Sequence, residues 1–260
     1  MQTDQLLFEL SHSIRYEIMK LLEDRPFRMT KIGEQVDANS SEVARHLNRL
    51  KDAGLVEKDS LGIYNITQLA KLVLTVLPSL SFIARNDSFL NSHDLSNVPD
   101  AFILRLNELK EGIKEEGMML NIQKVEALFG RARNRFIVIN NEVDRPPTDD
   151  ELAYIRNLME GGFEIKYIIE ESIIENGTMK LAFEKFQTLP NISIRVVPNI
   201  PLLLFISDGE ALVSFMGMDG KIDFSVFFKA VDERFLHWCE DLFEYFWESG
   251  SVLDDYPEMM

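Results

Sequence analysis

The sequence predicts two domains of different class: an α+β domain at the amino end, followed by an α/β domain with a mostly parallel mixed sheet. Three observations predict it. Residues 5–53 carry apolar side chains at three- and four-residue intervals, a Gly-punctuated alternating stretch follows at 55–67, and from residue 135 short β-branched runs alternate with helical segments.

The chain has 260 residues, 46% of them hydrophobic, enough for packed cores rather than a disordered chain. Its longest apolar runs, such as "IPLLLFI" at 200–206, fall well short of the roughly 20 residues that cross a bilayer, so no membrane span is expected. The start "MQTDQLLFEL" lacks the basic and apolar segments of a secretory signal, and a cytoplasmic protein is expected. A single cysteine, Cys239, excludes an internal disulfide, and its helical apolar surroundings "RFLHWCEDLFEYF" predict a buried, inert thiol.

Charge is unevenly spread. The net charge is −16, yet residues 1–75 hold ten Lys/Arg against eleven Asp/Glu, leaving −15 for the rest. So acidic a surface repels phosphate, which confines any nucleic-acid contact to the first domain.

The first domain, residues 1–80, reads as follows. Leu6, Leu7, Leu10, Ile14, Ile18, Leu21 and Leu22 define one amphipathic helix over Gln5 to Leu22, closed before Pro26. A short helix capped by Thr30 buries Ile32 and Val36 and ends in a turn at Asp37. Asn39 then caps a third helix, residues 40–53, with Glu42 placed for a capping box. Val43, Leu47 and Leu50 face inward on it, while Ser41, Glu42, Arg45, His46, Arg49 and Lys51 turn progressively outward. Gly54 supplies a left-handed C-cap, and "LVEKDSLGIYNIT" forms a two-stranded wing. Helix, short helix, turn, helix and hairpin make a winged helix-turn-helix, whose third helix enters the major groove of double-stranded DNA.

Candidate contacts follow from chemistry. Arg45 and Arg49, one turn apart, can each fork onto a guanine or clamp a phosphate, and Ser41 suits a hydrogen bond near the helix start. Lys51 adds charge, and Lys58 and Tyr64 on the wing would touch phosphates. His46 lies at the margin of the buried face, where a structural histidine and a DNA-backbone contact are both open.

The run "ARHLNRLKDAGLV" resembles the "SRHL..L..AGLV" pattern of ArsR-type winged-helix regulators, and "SHSIRYEIMKLL" is similar to their first helix. The resemblance implies transcriptional regulation at a DNA operator. Metal-sensing members use cysteine clusters, which a lone Cys239 cannot supply, so no metal is expected.

"TQLAKLVLTVLPSLSFI" places Leu69, Leu72, Val73, Val76, Leu77 and Leu80 on one stripe. It is longer than a domain this size needs, which suits a homodimer; packing on the first helix or the second domain is the alternative. Pro78 should bend or stop this helix.

Residues 81–100 read as a polar linker, and 101–260 as the α/β domain. Its strands are expected at 135–140, 163–169 and 192–198, with Pro147 and a Thr148–Glu151 capping box opening the helix after the first. A hairpin over 201–218 turns at Asp208 and Gly209, and residues 224–249 read as one long helix.

The stretches "SFLNSHDLSNVPDAFILRLNEL", "IPLLLFISDGEALVSF" and "WCEDLFEYFWESG" resemble the effector domain of archaeal methanogenesis regulators. That implies a phospholipase D-like fold shared with TrmB regulators. The catalysis of that fold needs a His-x-Lys pair with a downstream Asp. The sequence has none, His93 and His237 read as structural, and no Walker loop, nucleophile elbow or HExxH occurs, so neither an enzyme nor a cofactor is expected.

A small-molecule effector would sit at the carboxyl ends of the strands, at Asn140, Asn141, Glu170, Glu171 and Asn199. Ordinary loops carry the same residue types, and a domain that only dimerises is the rival. The expected function is sequence-specific DNA binding, the alternatives being a protein-interaction adaptor or an enzyme with an unrecognised site.

Overall fold

A computed structural model describes residues 2–140, 145–173 and 177–253, and the chain divides into two compact units, Met1–Leu80 and Ser81–Met260. The first contains α1 (Thr3–Leu10), α2 (Ser13–Asp24), β1 (Phe27–Arg28), α3 (Met29–Gln35), α4 (Ser40–Asp52), β2 (Val56–Lys58) and β3 (Ile63–Ile66). The chain leaves it within α5 (Gln68–Arg85). Strands β1, β3 and β2 form an antiparallel sheet in that order, with Val56 opposite Ile66 and Lys58 opposite Tyr64. Ile18, Leu22, Ile32, Val43, Leu47, Leu50 and Leu74 are among the side chains that close its core.

The single helix expected over Gln5 to Leu22 is broken in two. His12 is extended (φ −96°, ψ 122°) and acts as N-cap of α2. The carbonyls freed at the end of α1 have side-chain donors: Arg15 donates to the Glu9 and Phe8 oxygens at 2.7 and 2.6 Å, and Ser11 Oγ to Phe8 O at 2.8 Å. Apolar periodicity continues across the break, so it gives no sign of it. Helix α3 begins at Met29 with Arg28 as N-cap, two residues ahead of the Thr30 cap expected.

Two signals at α4 are local. The Asn39 side chain accepts the Glu42 N–H at 3.0 Å. At the other end Gly54 (φ +68°) donates to Lys51 O and Leu55 to Leu50 O, which is a Schellman closure and suits glycine because the left-handed residue pays no Cβ penalty.

Helix α5 runs through Pro78 without stopping. Ala70 and Leu74 are buried in the first core and Phe82 in the second, so packing holds both halves of the helix despite the missing N–H. By length and composition alone this helix is also long and apolar enough to cross a membrane, and Ala70, Leu74 and Phe82 are its buried apolar side chains. The residues expected on one stripe divide: Leu69, Leu72, Val76 and Leu80 are exposed, joined by Ile83, whereas Val73 and Leu77 turn partly inward.

The second unit adds α6 (Asp87–Asn91), β4 (His93–Asp94), α7 (Asp100–Ile103), a 3-10 turn (Leu106–Glu111), β5 (Ile113–Glu116), α8 (Met118–Arg131) and β6 (Arg135–Ile139). Then come α9 (Asp149–Glu160), β7 (Glu164–Glu170), α10 (Gly177–Phe186) and β8 (Ile192–Val197). The last elements are β9 (Leu202–Ser207), β10 (Glu210–Gly217), β11 (Val226–Ala230), α11 (Glu233–Ser249) and β12 (Ser251–Val252). The sheet runs β12-β8-β7-β6-β9-β10-β11-β5, with β4 beside β10.

This sheet is mixed, but only β6, β7 and β8 are parallel neighbours; the other pairings are antiparallel. Parallel neighbours need a crossover, and α9 and α10 supply the two that exist. The strand after β9 returns through a two-residue turn, Asp208 (φ +32°) and Gly209 (φ +96°), which fixes an antiparallel hairpin. The Thr148–Glu151 capping box is present, with Thr148 N donating to Glu151 Oε2 at 2.7 Å.

Two readings need correction. Residues 81–100 are not a linker: Phe82, Phe89 and Val98 are buried in the second core, and Phe89 packs edge-on against Phe215 and Phe228. Residues 224–249 are not one helix, because Val226–Ala230 form β11 between β10 and β5. Asp232 starts α11 afresh by accepting Arg234 and Phe235 N–H groups at 3.0 and 3.1 Å. Cys239 is fully buried on α11, and burial pushes its thiol well up.

Candidate nucleic-acid interface

Three buried residues of α4, Val43, Leu47 and Leu50, fix which face looks out. At 100° per residue the opposite line is Ser41, Arg45, Asn48 and Asp52, and all four are exposed. Arg45 is two-thirds exposed, and its nearest acid, Glu42, stands 4.0 Å away. Lys51 flanks the line and is exposed too. Asn48, whose side chain can pair with both an acceptor and a donor of adenine, was not singled out from sequence. Its seven-residue interval from Ser41 was the available signal.

Arg49 lies to one side of that line and is engaged. Glu9 of α1 forks it, accepting Nε at 3.0 Å and NH2 more closely, while the guanidinium stacks 4.9 Å above the Phe8 ring. The same carboxylate takes Arg15 Nε at 3.0 Å, and both Glu9 and Arg15 are buried. The Arg49 hydrogen bond, helped by the Arg15 charge and opposed by burial, holds Glu9 below the usual carboxylate range. The expectation that Arg49 reaches DNA is thereby altered: in this structure it fastens α4 to α1.

His46 and Tyr64 are corrected as contact residues. His46 is 2% exposed and stacks on His12 with ring centroids 4.3 Å apart; Tyr64 is 5% exposed and belongs to the core under the wing. Lys58 is exposed, its Nζ 5.3 Å from the Tyr64 ring. The wing tip is built by Asp59, whose Oδ1 accepts the Leu61 and Ile63 N–H groups at 2.9 and 2.8 Å. With Glu57 and Asp59 against Lys58, the wing brings no net positive charge. On α4 the outward positive charge is that of Arg45 and Lys51.

The strand ends of the second unit are only partly free. Asn140 is buried and its side chain bonds Tyr167, whose hydroxyl burial pushes up. Glu170 accepts Ile200 N at 3.2 Å and Ser172 Oγ at 2.5 Å. Both thus serve the fold. Glu171 and Asn199 are exposed, and Asn141 lies outside the described residues. Both ring nitrogens of His93 are engaged, by Phe89 O at 2.8 Å and Asp223 Oδ2 at 3.1 Å, whereas His237 is exposed.

A capped helix with an exposed polar line, carried on a three-helix core with a wing, defines the helix-turn-helix class. The family described as "Bacterial regulatory protein, arsR family" matches residues 12–58, and "Methanogenesis regulatory protein FilR1, middle domain" matches residues 150–249. The first match lies within the first unit and the second within the second unit, in the order helix-turn-helix domain then middle domain. It is similar to the methanogenesis regulatory protein FilR1 of Methanothrix harundinacea (strain 6Ac), at 21% identity over 94% of this chain and 57% of that protein. It thus spans little more than half of that relative's length. Among solved structures it is similar to TrmBL2, an archaeal chromatin protein, with 11% identity, a TM-score of 0.43, and coverage of 97% of this chain and 100% of that one. It is also similar to Nuc, a phospholipase D family member from Salmonella typhimurium, with 14% identity, a TM-score of 0.34, and coverage of 55% and 98%.

Proposed function

We propose that this chain is a DNA-binding transcriptional regulator that docks α4 in the major groove, as a cytoplasmic homodimer. The observation that carries it is the exposed line Ser41, Arg45 and Asn48, flanked by Lys51, on a helix capped at both ends. Arg45 reads a guanine or clamps a phosphate, Asn48 suits an adenine, and Ser41, Lys51 and Lys58 position the backbone. The −15 carried beyond residue 75 suppresses nonspecific binding, so the attraction stays local.

The exposed face of α5 supports the dimer. Leu69, Leu72, Val76, Leu80 and Ile83 recur at helical spacing on one side of it, the pattern of a helix that meets its own copy. Two copies would set their reading helices roughly 34 Å apart and select a near-palindrome.

The second unit is read as a binding module without catalysis. An effector there would have Glu171 and Asn199 as its available strand-end contacts, because Asn140 and Glu170 are held by the fold. Nuclease footprinting of the DNA upstream of its own coding sequence tests the reading. Protection of two half-sites one turn apart is expected; no protection at low salt would overturn it.

A further inference from the structure

Ring nitrogens of histidine are strong polar groups, and buried ones nearly always have partners. Three of them here do not. His12 Nδ1, His46 Nδ1 and His46 Nε2 are buried without a hydrogen-bond partner among the described residues. They belong to one contact, the stack of His46 on His12 at 4.3 Å with the rings tilted by 51°. His12 stands at the break between α1 and α2, as the N-cap of α2, and its side chain makes no capping bond. His46 sits on α4, one residue after Arg45. The two rings thus join the corner of the bundle to the helix that carries the DNA contacts.

We propose that this histidine pair is a proton-sensitive clasp: protonation opens the contact, loosens α4 on α1 and α2, and lowers DNA affinity. It rests on the reading of α4 as the DNA-contacting helix. The surroundings decide the sign. From α2, Arg15 faces the pair; from α4, Arg45 faces it, with Glu42 Oε1 3.9 Å from His46 Nε2; from α1 comes Glu9, already forked by Arg49 and bonded to Arg15. A proton placed on His46, itself only 2% exposed, meets a second imidazole and two guanidinium groups, with one weakly placed carboxylate to offset them. Burial first, then the neighbouring His12, Arg45 and Arg15, hold His46 below the ordinary histidine value, and Glu42 opposes them.

Because the folded state disfavours the proton, stability is full above the unfolded value of 6.5 and is lost as pH falls through the lower folded value. That sign opposes the trivial one. Acidification makes an acidic protein less negative, which by itself strengthens attraction to phosphate. Weakening on acidification therefore discriminates the clasp from bulk charge.

The experiment uses the full chain on a duplex from its own upstream region, at fixed ionic strength, from pH 7.5 to 5.5. Wild-type affinity should fall about tenfold, whereas His12→Phe, which keeps a ring in the stack and removes its nitrogens, should change less than twofold. With only four histidines in the chain, ring nitrogen resonances of His46 can be followed separately, and its midpoint should lie below 6.5. Amide exchange of α4, corrected for intrinsic rates, should quicken at pH 5.5 in wild type and not in His12→Phe; should that variant fail to fold, His12→Gln replaces it. Identical pH profiles for wild type and variant, or a His46 midpoint at or above the ordinary value, overturn the clasp. Absence of DNA binding at every pH counts against the DNA reading instead, while the exchange and resonance data still decide the clasp.

Discussion

Arg49 carries one of the three positive charges of residues 40–51, yet it is spent on Glu9 and Phe8. A helix face counted from sequence assigns it outward, and only the presence of α1 alongside turns it into a fastening. His46 and Tyr64 failed as contacts for a related reason: each is amphipathic, and its ring packs into the core that the same pattern predicts. The buried Glu9–Arg15 pair yields a prediction. Glu9→Gln leaves Arg15 without its counter-charge and should cost about 3 kcal/mol in urea unfolding of the first unit. Glu9 is held below its ordinary value of 4.5, so its stabilisation is present above that value and is lost as pH falls beneath it. The variant should lack that acid limb, a difference that melts at pH 7 and pH 3.5 would register.

Caps were the most legible feature at the scale of elements, because they are written in three or four adjacent residues. Asn39, Gly54, Thr148 and the Asp208–Gly209 turn stand where their chemistry puts them. Asn39→Ala should cost about 1 kcal/mol by removing the acceptor for Glu42 N–H. Gly54→Ala has open space around the new methyl group, yet at φ +68° the left-handed strain alone should cost about 1 kcal/mol, measured by the same urea melts. Element boundaries set by distant contacts were less legible. The break at His12 depends on Arg15 reaching back, and β11 on strands at residues 113–116 and 210–217 that claim its backbone.

The whole molecule shows the same division between local and distant causes. Two α-helical crossovers made three strands parallel and were readable; the antiparallel majority, and the core role of residues 81–100, arise from pairings far apart in sequence. The exposed α5 face was legible as an excess of apolar residues, though not which of them point outward. Leu72→Glu combined with Val76→Glu should convert a dimer to a monomer in light scattering and weaken DNA binding, since each half-site then binds alone. Retention of the dimer mass by that double variant would remove α5 from the interface.

The most direct test of docking by α4 is the salt dependence of DNA affinity for wild type and Arg45→Ala, measured by fluorescence anisotropy. Arg45→Ala should weaken binding about tenfold and reduce the slope of log affinity against log salt by about one. Equal affinity and equal slope for the two proteins would contradict it.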